Sequence, residues 1–150
     1  MIKIYIFADS YKIYDKAISE YEKRLWKDLK IEKLKCFKNN NTTLVIEKET
    51  EILKKVLEKT KWYKIILSPE WKRFNTDNFY KYIEEKKQNF WDISFFIWWA
   101  NGLDYKSLKS FSDLELSLSD FILPHSLALL ALVEQIYRLS MIKKGTSYNK

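Results

Sequence analysis

Leu123-Pro124-His125 stands where a short apolar run gives way to a long helical pattern, and His125 is the only histidine in the 150-residue chain. Imidazole is the side chain whose ordinary titration lies nearest neutral pH. The positive end of a helix disfavours imidazolium, so His125 is expected to be neutral near pH 7 and able to accept a proton. It could equally be a capping or loop-holding residue. The same helical pattern carries Glu134, Tyr137 and Arg138 further along.

Residue types exclude several other chemistries. One histidine and one cysteine, Cys36, cannot supply a three- or four-ligand zinc site without carboxylates, and no spacing suggests one, so no metal is expected. There is no Gly-rich phosphate loop, no G-x-S-x-G elbow and no H-E-x-x-H. Paired carboxylates such as Glu84-Glu85 fall in a lysine-rich helical stretch and read as a solvated face.

The elements that must position these residues follow from hydrophobic period. Strands are expected over 1–8, 31–37, 62–67, 93–99 and 116–123. Helices are expected over 11–29, 47–59, from Asn75 or Thr76 onward, over 102–110 as a short piece, and over 126–143. The polar NNNTT at 39–43 reads as a loop. Strand and helix alternate without a linker or repeat, which predicts one α/β domain over 1–150 around a mainly parallel sheet. The fourth strand has too few polar residues to be exposed on either face and should be central. Ligands of such sheets sit outside the carboxyl ends of the strands. Three stretches qualify: 67–72, 98–102 and 119–125. Apolar residues from Leu127 to Met141 cover almost the whole circumference of the closing helix. A helix of that kind is buried on several sides, and a second copy of the chain is the expected cover.

Composition sets the setting. The chain is 47% hydrophobic and 17% aromatic, enough for a packed core. The stretch 117–133 is broken by Asp120, Pro124 and His125, so no membrane span is expected. Met1 leads directly into an alternating strand and a single cysteine allows no internal disulfide, so a cytoplasmic protein is expected. The formal net charge of +7 suits a polyanion such as RNA, although lysine-rich coding bias would produce it too.

The segment 117–150 resembles the SPOUT-class RNA methyltransferases, and within them the ribosomal RNA large subunit methyltransferase H family. Leu123-Pro124-His125 carries the likeness, with Glu134-Gln135-Ile136-Tyr137-Arg138 and a chain end, Tyr148-Asn149-Lys150, similar to the family's P-Y-H-[KR]. Glu20-Tyr21, Leu67 at a strand end and Gly102-Leu103 add to it. The resemblance spans the whole chain. It implies a carboxyl-terminal trefoil knot, a homodimer, and methyl transfer from S-adenosylmethionine to N3 of a pseudouridine in large-subunit (23S) ribosomal RNA. Carried across, the cofactor site would comprise Leu67, Ser68, Trp99, Gly102, Ser119, Asp120, Phe121, Ile122, Leu123 and Pro124. His125 would be the catalytic base, and Arg138, Tyr148 and Lys150 would hold RNA, reaching across the dimer.

Three departures mark the chain. Trp98-Trp99 stands where the family has Gly-Gly, Ser68-Pro69-Glu70-Trp71 stands where relatives carry Asp and Gly, and Asn149 stands where the family has histidine. Glycine at a strand end permits close backbone approach to a ligand, and two indoles there could fill the cofactor's place. The alternative expectation is therefore a cofactor-blind dimer that binds ribosomal RNA or a protein.

Overall fold

A computed structural model describes residues 1–98 and 105–149, apart from the side chains of residues 69–71, 105, 106 and 149. Among the described residues five strands form one parallel sheet in the order β2-β1-β4-β3-β5. They are β1 (Ile2–Phe7), β2 (Leu29–Leu34), β3 (Tyr63–Arg73), β4 (Ile93–Ile97) and β5 (Leu114–Ser117). The helices are α1 (Asp15–Arg24), α2 (Thr42–Lys59), α3 (Thr76–Asn89), the single turn α4 (Tyr105–Leu108) and α5 (His125–Lys143). Strand alternation sorts the core into two layers. Ile2, Ile4 and Ile6 of β1 join Phe95 and Ile97 of β4 beneath α1, α3 and α5. Phe7, Ile66 and Phe96 face the other way, against Leu53 and Leu57 of α2 and Leu108 of α4. As expected, β4 lies between β1 and β3, and all five of its residues are buried.

Several boundaries differ from the sequence expectation for local reasons. The helix α2 begins at Thr42, inside the polar run read as a loop, because Asn41 Oδ1 accepts the Leu44 N–H at 3.3 Å and caps it. The first helix is shorter than 11–29. A 3-10 turn over Lys12–Tyr14 precedes it, and α1 ends at Arg24 so that the chain can enter β2 at Leu29. The fifth strand occupies 114–117 rather than 116–123, because the Ser117 hydroxyl donates to the Ser119 carbonyl (3.0 Å) and Phe121 N–H donates to Ser119 Oγ (3.0 Å). That serine turn takes the chain out of the ladder.

Residues of α5 are buried on one side, at Leu129, Leu132, Val133, Ile136 and Leu139. Leu127, Leu130, Ala131 and Glu134 instead line an open cleft of about 750 Å³, together with Tyr21, Phe74 and Phe79. The apolar character around the helix is thus only partly used within one chain.

Candidate active site

At the carboxyl end of β3 both Leu67 and Lys72 pair with Leu116, so residues 68–71 are looped out as a bulge. Leu67 and Ser68 are buried at its base. Arg73 returns to pair with Ser117, and its guanidinium makes an ion pair with Asp120 Oδ1. The β3 end and the segment 118–124 are thereby joined. Within that segment Ser119 and Leu123 are half-buried, whereas Phe121 and Ile122 are 79% and 76% exposed. Pro124 is the N-cap of α5 and puts His125 in its first turn. Leu67, Ser68, Ser119 to Pro124 and His125 thus converge at one end of the sheet. Trp99 and Gly102 lie outside the described residues.

His125 is buried, with 9% of its surface exposed. Burial, and secondarily the positive charge of Lys12, holds its imidazole below the ordinary range. Neutrality follows from desolvation first and from the lysine second. Lys12 has φ +54°, the left-handed region that a lysine adopts only at a cost. His125 and Lys12 face a cleft of about 720 Å³ between the ends of β1 and β2, beside Ala8, Ser10, Cys36 and Glu49. Lys38 bridges its mouth to Asp9 at 2.9 Å. The buried Glu49 carboxylate accepts the Phe37 N–H at 3.0 Å and fixes the far wall.

Arg138 and Tyr148 form a separate group. Gly145, at φ +68°, ends α5 with its N–H on the Ile142 carbonyl (2.9 Å) while Thr146 N–H reaches the Met141 carbonyl (3.1 Å). Such a left-handed cap reverses the chain, and glycine takes it without strain. Tyr148 is thereby laid back over α5, where its ring meets Tyr137 edge-on at 5.1 Å between centroids. The Arg138 fork holds Glu134 Oε1 through Nε (3.1 Å) and Nη2 (2.6 Å). His125 and Arg138 are 13 positions apart on α5, about 20 Å at 1.5 Å per residue. One chain therefore does not bring them together. Lys150 lies outside the described residues.

Residues 1–149 match the family model described as "Predicted SPOUT methyltransferase". The chain belongs to the SPOUT methyltransferase family. It is 37% identical over 147 residues to the ribosomal RNA large subunit methyltransferase H of Fusobacterium nucleatum, covering 93% of this chain and 94% of that one. The proteins of the same name from Streptococcus gordonii and Streptococcus suis are 34% and 32% identical, each over 149 residues, 93% of this chain and 92% of theirs.

For a SPOUT methyltransferase the first departure in the sequence concerns Trp98. Its indole is half-buried and packs in the α2-side cluster with Phe7, Ile66, Phe96 and Leu108. It therefore extends the core beneath the sheet, on the face opposite α1, α3 and α5. Sequence reasoning missed Lys12, Glu49 and Ser126. The strand-end rule applied to β1 as well as β3, β4 and β5 would have found Lys12. Glu49 and Ser126 carry no comparable signal, because a helical glutamate and a serine after histidine look ordinary. Ser126 Oγ is buried and has no hydrogen-bond partner among the described residues. That orphaned hydroxyl, next to a main chain that forms no ladder over 118–124, suits a ligand rich in donors and acceptors. S-adenosylmethionine is such a ligand. Among the described residues no group of three or more metal-ligating side chains occurs, and no helix is long and apolar enough to cross a membrane.

Proposed function

We propose that this protein transfers a methyl group from S-adenosylmethionine to N3 of a pseudouridine in large-subunit ribosomal RNA. The observation that carries the reading is the end-to-end likeness to proteins named for large-subunit ribosomal RNA methylation. The neutral, buried His125 beside Ser119 to Pro124 supports it.

The residues divide as follows. Leu67, Ser68 and Ser119 to Pro124, with Trp99 and Gly102, hold the cofactor largely through main-chain groups, and Ser126 adds a hydroxyl at the base. When bound, the cofactor supplies an electrophilic methyl on a sulfonium. His125 accepts the proton that N3 must lose before it attacks. Lys12 stands where it keeps that imidazole unprotonated and offers a cation to the RNA backbone. Arg138, Tyr148 and Lys150 hold RNA.

A homodimer completes the site in this reading. The half-covered face of α5 and its cleft of about 750 Å³ call for an apolar partner, and a second copy presents the same surface. The separation of about 20 Å between His125 and Arg138 along α5 is bridged when each protomer lends its Arg138 and Tyr148 to the other. The family likeness also implies that the chain from β5 through α5 is threaded as a trefoil knot.

A thermal titration with S-adenosylmethionine, paired with methyl incorporation into large ribosomal subunits lacking the modification, tests the proposal. Cofactor at 100 times its dissociation constant should add ~2.7 kcal/mol per site. No thermal shift and no calorimetric heat at millimolar cofactor would overturn it in favour of a cofactor-blind dimer.

A further inference from the structure

We propose that the amino-terminal rim of the sheet, opposite the strand ends that hold His125, is a stacking platform for unpaired RNA bases formed by Trp26, Trp62 and Trp91. The inference rests on RNA being the partner. It concerns a surface that shares no residue with the methyl-transfer site.

Parallel strands all begin at the same end, and here three of the starts carry an outward tryptophan. Trp26 lies in the turn entering β2, Trp62 directly precedes β3, and Trp91 lies two residues before β4. They are 70%, 37% and 81% exposed, and Met1 beside them is 50% exposed. Main-chain bonds stitch these starts into one edge. Ile2 N–H donates to the Asp28 carbonyl (2.8 Å), the Met1 amine to the Trp91 carbonyl (2.9 Å), and Tyr63 N–H to the Asp92 carbonyl (3.3 Å). From β2 to β3 in the order β2-β1-β4-β3 is three strand spacings, roughly 14 Å. Single exposed apolar residues need no explanation, but three tryptophans at one rim of a sheet are more than scatter and mark a contact surface.

Charge decides which partner. The Lys27 ammonium lies 5.0 Å over the Trp26 ring. Lys61 adjoins Trp62 and is exposed, as is Lys59. Asp92 is neutralised by the Met1 amine (3.4 Å) and by Lys3 (2.7 Å). What remains is Lys27, Lys59, Lys61 and Lys64 against Asp28, Glu58 and Asp113, on a chain of net charge +7. Protein interfaces enrich tryptophan but exclude lysine from their centres. Aromatic faces interleaved with lysine are the arrangement that holds single-stranded nucleic acid, by stacking and phosphate neutralisation.

The test uses the full chain with each tryptophan changed to Leu, singly and together, and separately to Phe. A labelled short oligouridylate is the probe. Each Leu variant should weaken binding about tenfold, with Phe restoring most of it. S-adenosylmethionine affinity should stay unchanged, which also shows that the variants fold. An all-Leu variant that binds the oligonucleotide like the parent overturns the proposal. Loss of large-subunit binding with oligonucleotide binding intact also overturns it, and identifies a ribosomal protein as the partner. A parent that ignores the cofactor but binds RNA through these tryptophans would sink the methyltransferase reading and leave the platform standing.

Discussion

The guanidinium of Arg138 lies 4.9 Å over the ring of Tyr148 and donates from Nη1 to the Tyr148 carbonyl at 3.3 Å. One arginine thus grips both the side chain and the backbone of the chain end. Its remaining nitrogens hold Glu134, and that carboxylate raises the guanidinium's affinity for its proton. The Tyr148 ring in turn meets Tyr137, which tilts against Tyr21 at 5.5 Å. The chain end is therefore fixed at the far end of α5 from His125.

That separation leads to a complementation experiment. In the proposed homodimer, His125→Ala and Arg138→Ala should each abolish or severely lower methylation when either variant is alone. Mixed and re-formed dimers should regain part of it, because one composite site then carries both residues. If mixing restores nothing while dimers exchange, each protomer works alone. Arg138→Lys should also fail to hold the chain end, since an ammonium lacks the planar fork. Its cost in stability should stay below ~1 kcal/mol, the range of partly exposed pairs.

His125 can be watched directly, because a chain with one histidine gives one set of imidazole resonances. In the folded protein it should titrate below the ordinary value of 6.5, owing first to burial and then to Lys12. Lys12→Asn removes the charge while keeping a residue type that tolerates φ above zero, and should move the titration upward. The linked stability follows in sign. As pH falls below 6.5 the unfolded chain takes up a proton that the folded chain resists, so this residue costs stability on the acid side and nothing above that range. His125→Gln should flatten that part of the stability profile, as measured by urea unfolding at several pH values.

Glu49 presents the opposite sign. Burial raises its carboxyl above the ordinary 4.5, with the Phe37 N–H acting against it. The folded chain then holds the proton more tightly than the unfolded one, so stability present below pH 4.5 is lost as pH rises through the shifted value. Glu49→Gln keeps an acceptor for Phe37 and should reduce that loss. Glu49→Leu leaves the amide unpaired and should cost about 1–3 kcal/mol. Urea midpoints of the two variants at neutral pH distinguish these outcomes.

The parts of the fold that were legible in the sequence are those fixed by period. The isoleucines of β1, the mostly apolar β4 and the run after His125 each declare their element through side-chain periodicity. The parts that were not legible depend on what a polar group finds in space. Nothing before folding says that Ser119 will turn the chain at Ser117, that Asp120 will meet Arg73, or that Asn41 will cap α2. The site divided along the same line. His125 and Arg138 stood out by residue type, while their separation of about 20 Å follows only from the continuous helix between them. Lys12 and Glu49 drew no attention, since a lysine among 24 and a helical glutamate look like surface until the cleft is built.

Trp98 supplies the last prediction. In sequence it stood with Trp99 where the family has Gly-Gly, as an indole that could fill the cofactor's place. Its indole instead lies with Phe7, Leu53, Leu57 and Phe96, in the layer under α2. Removing a fully buried tryptophan side chain costs about 3–5 kcal/mol, and this half-buried one should cost less. Trp98→Ala should therefore lower the urea midpoint by the equivalent of about 2 kcal/mol. Cofactor affinity measured on the folded variant should be unchanged. A Trp98→Ala protein as stable as the parent, with tighter cofactor binding, would mean that the indole obstructs the site after all. Trp99→Ala, examined in parallel, shows whether obstruction resides at the neighbouring position.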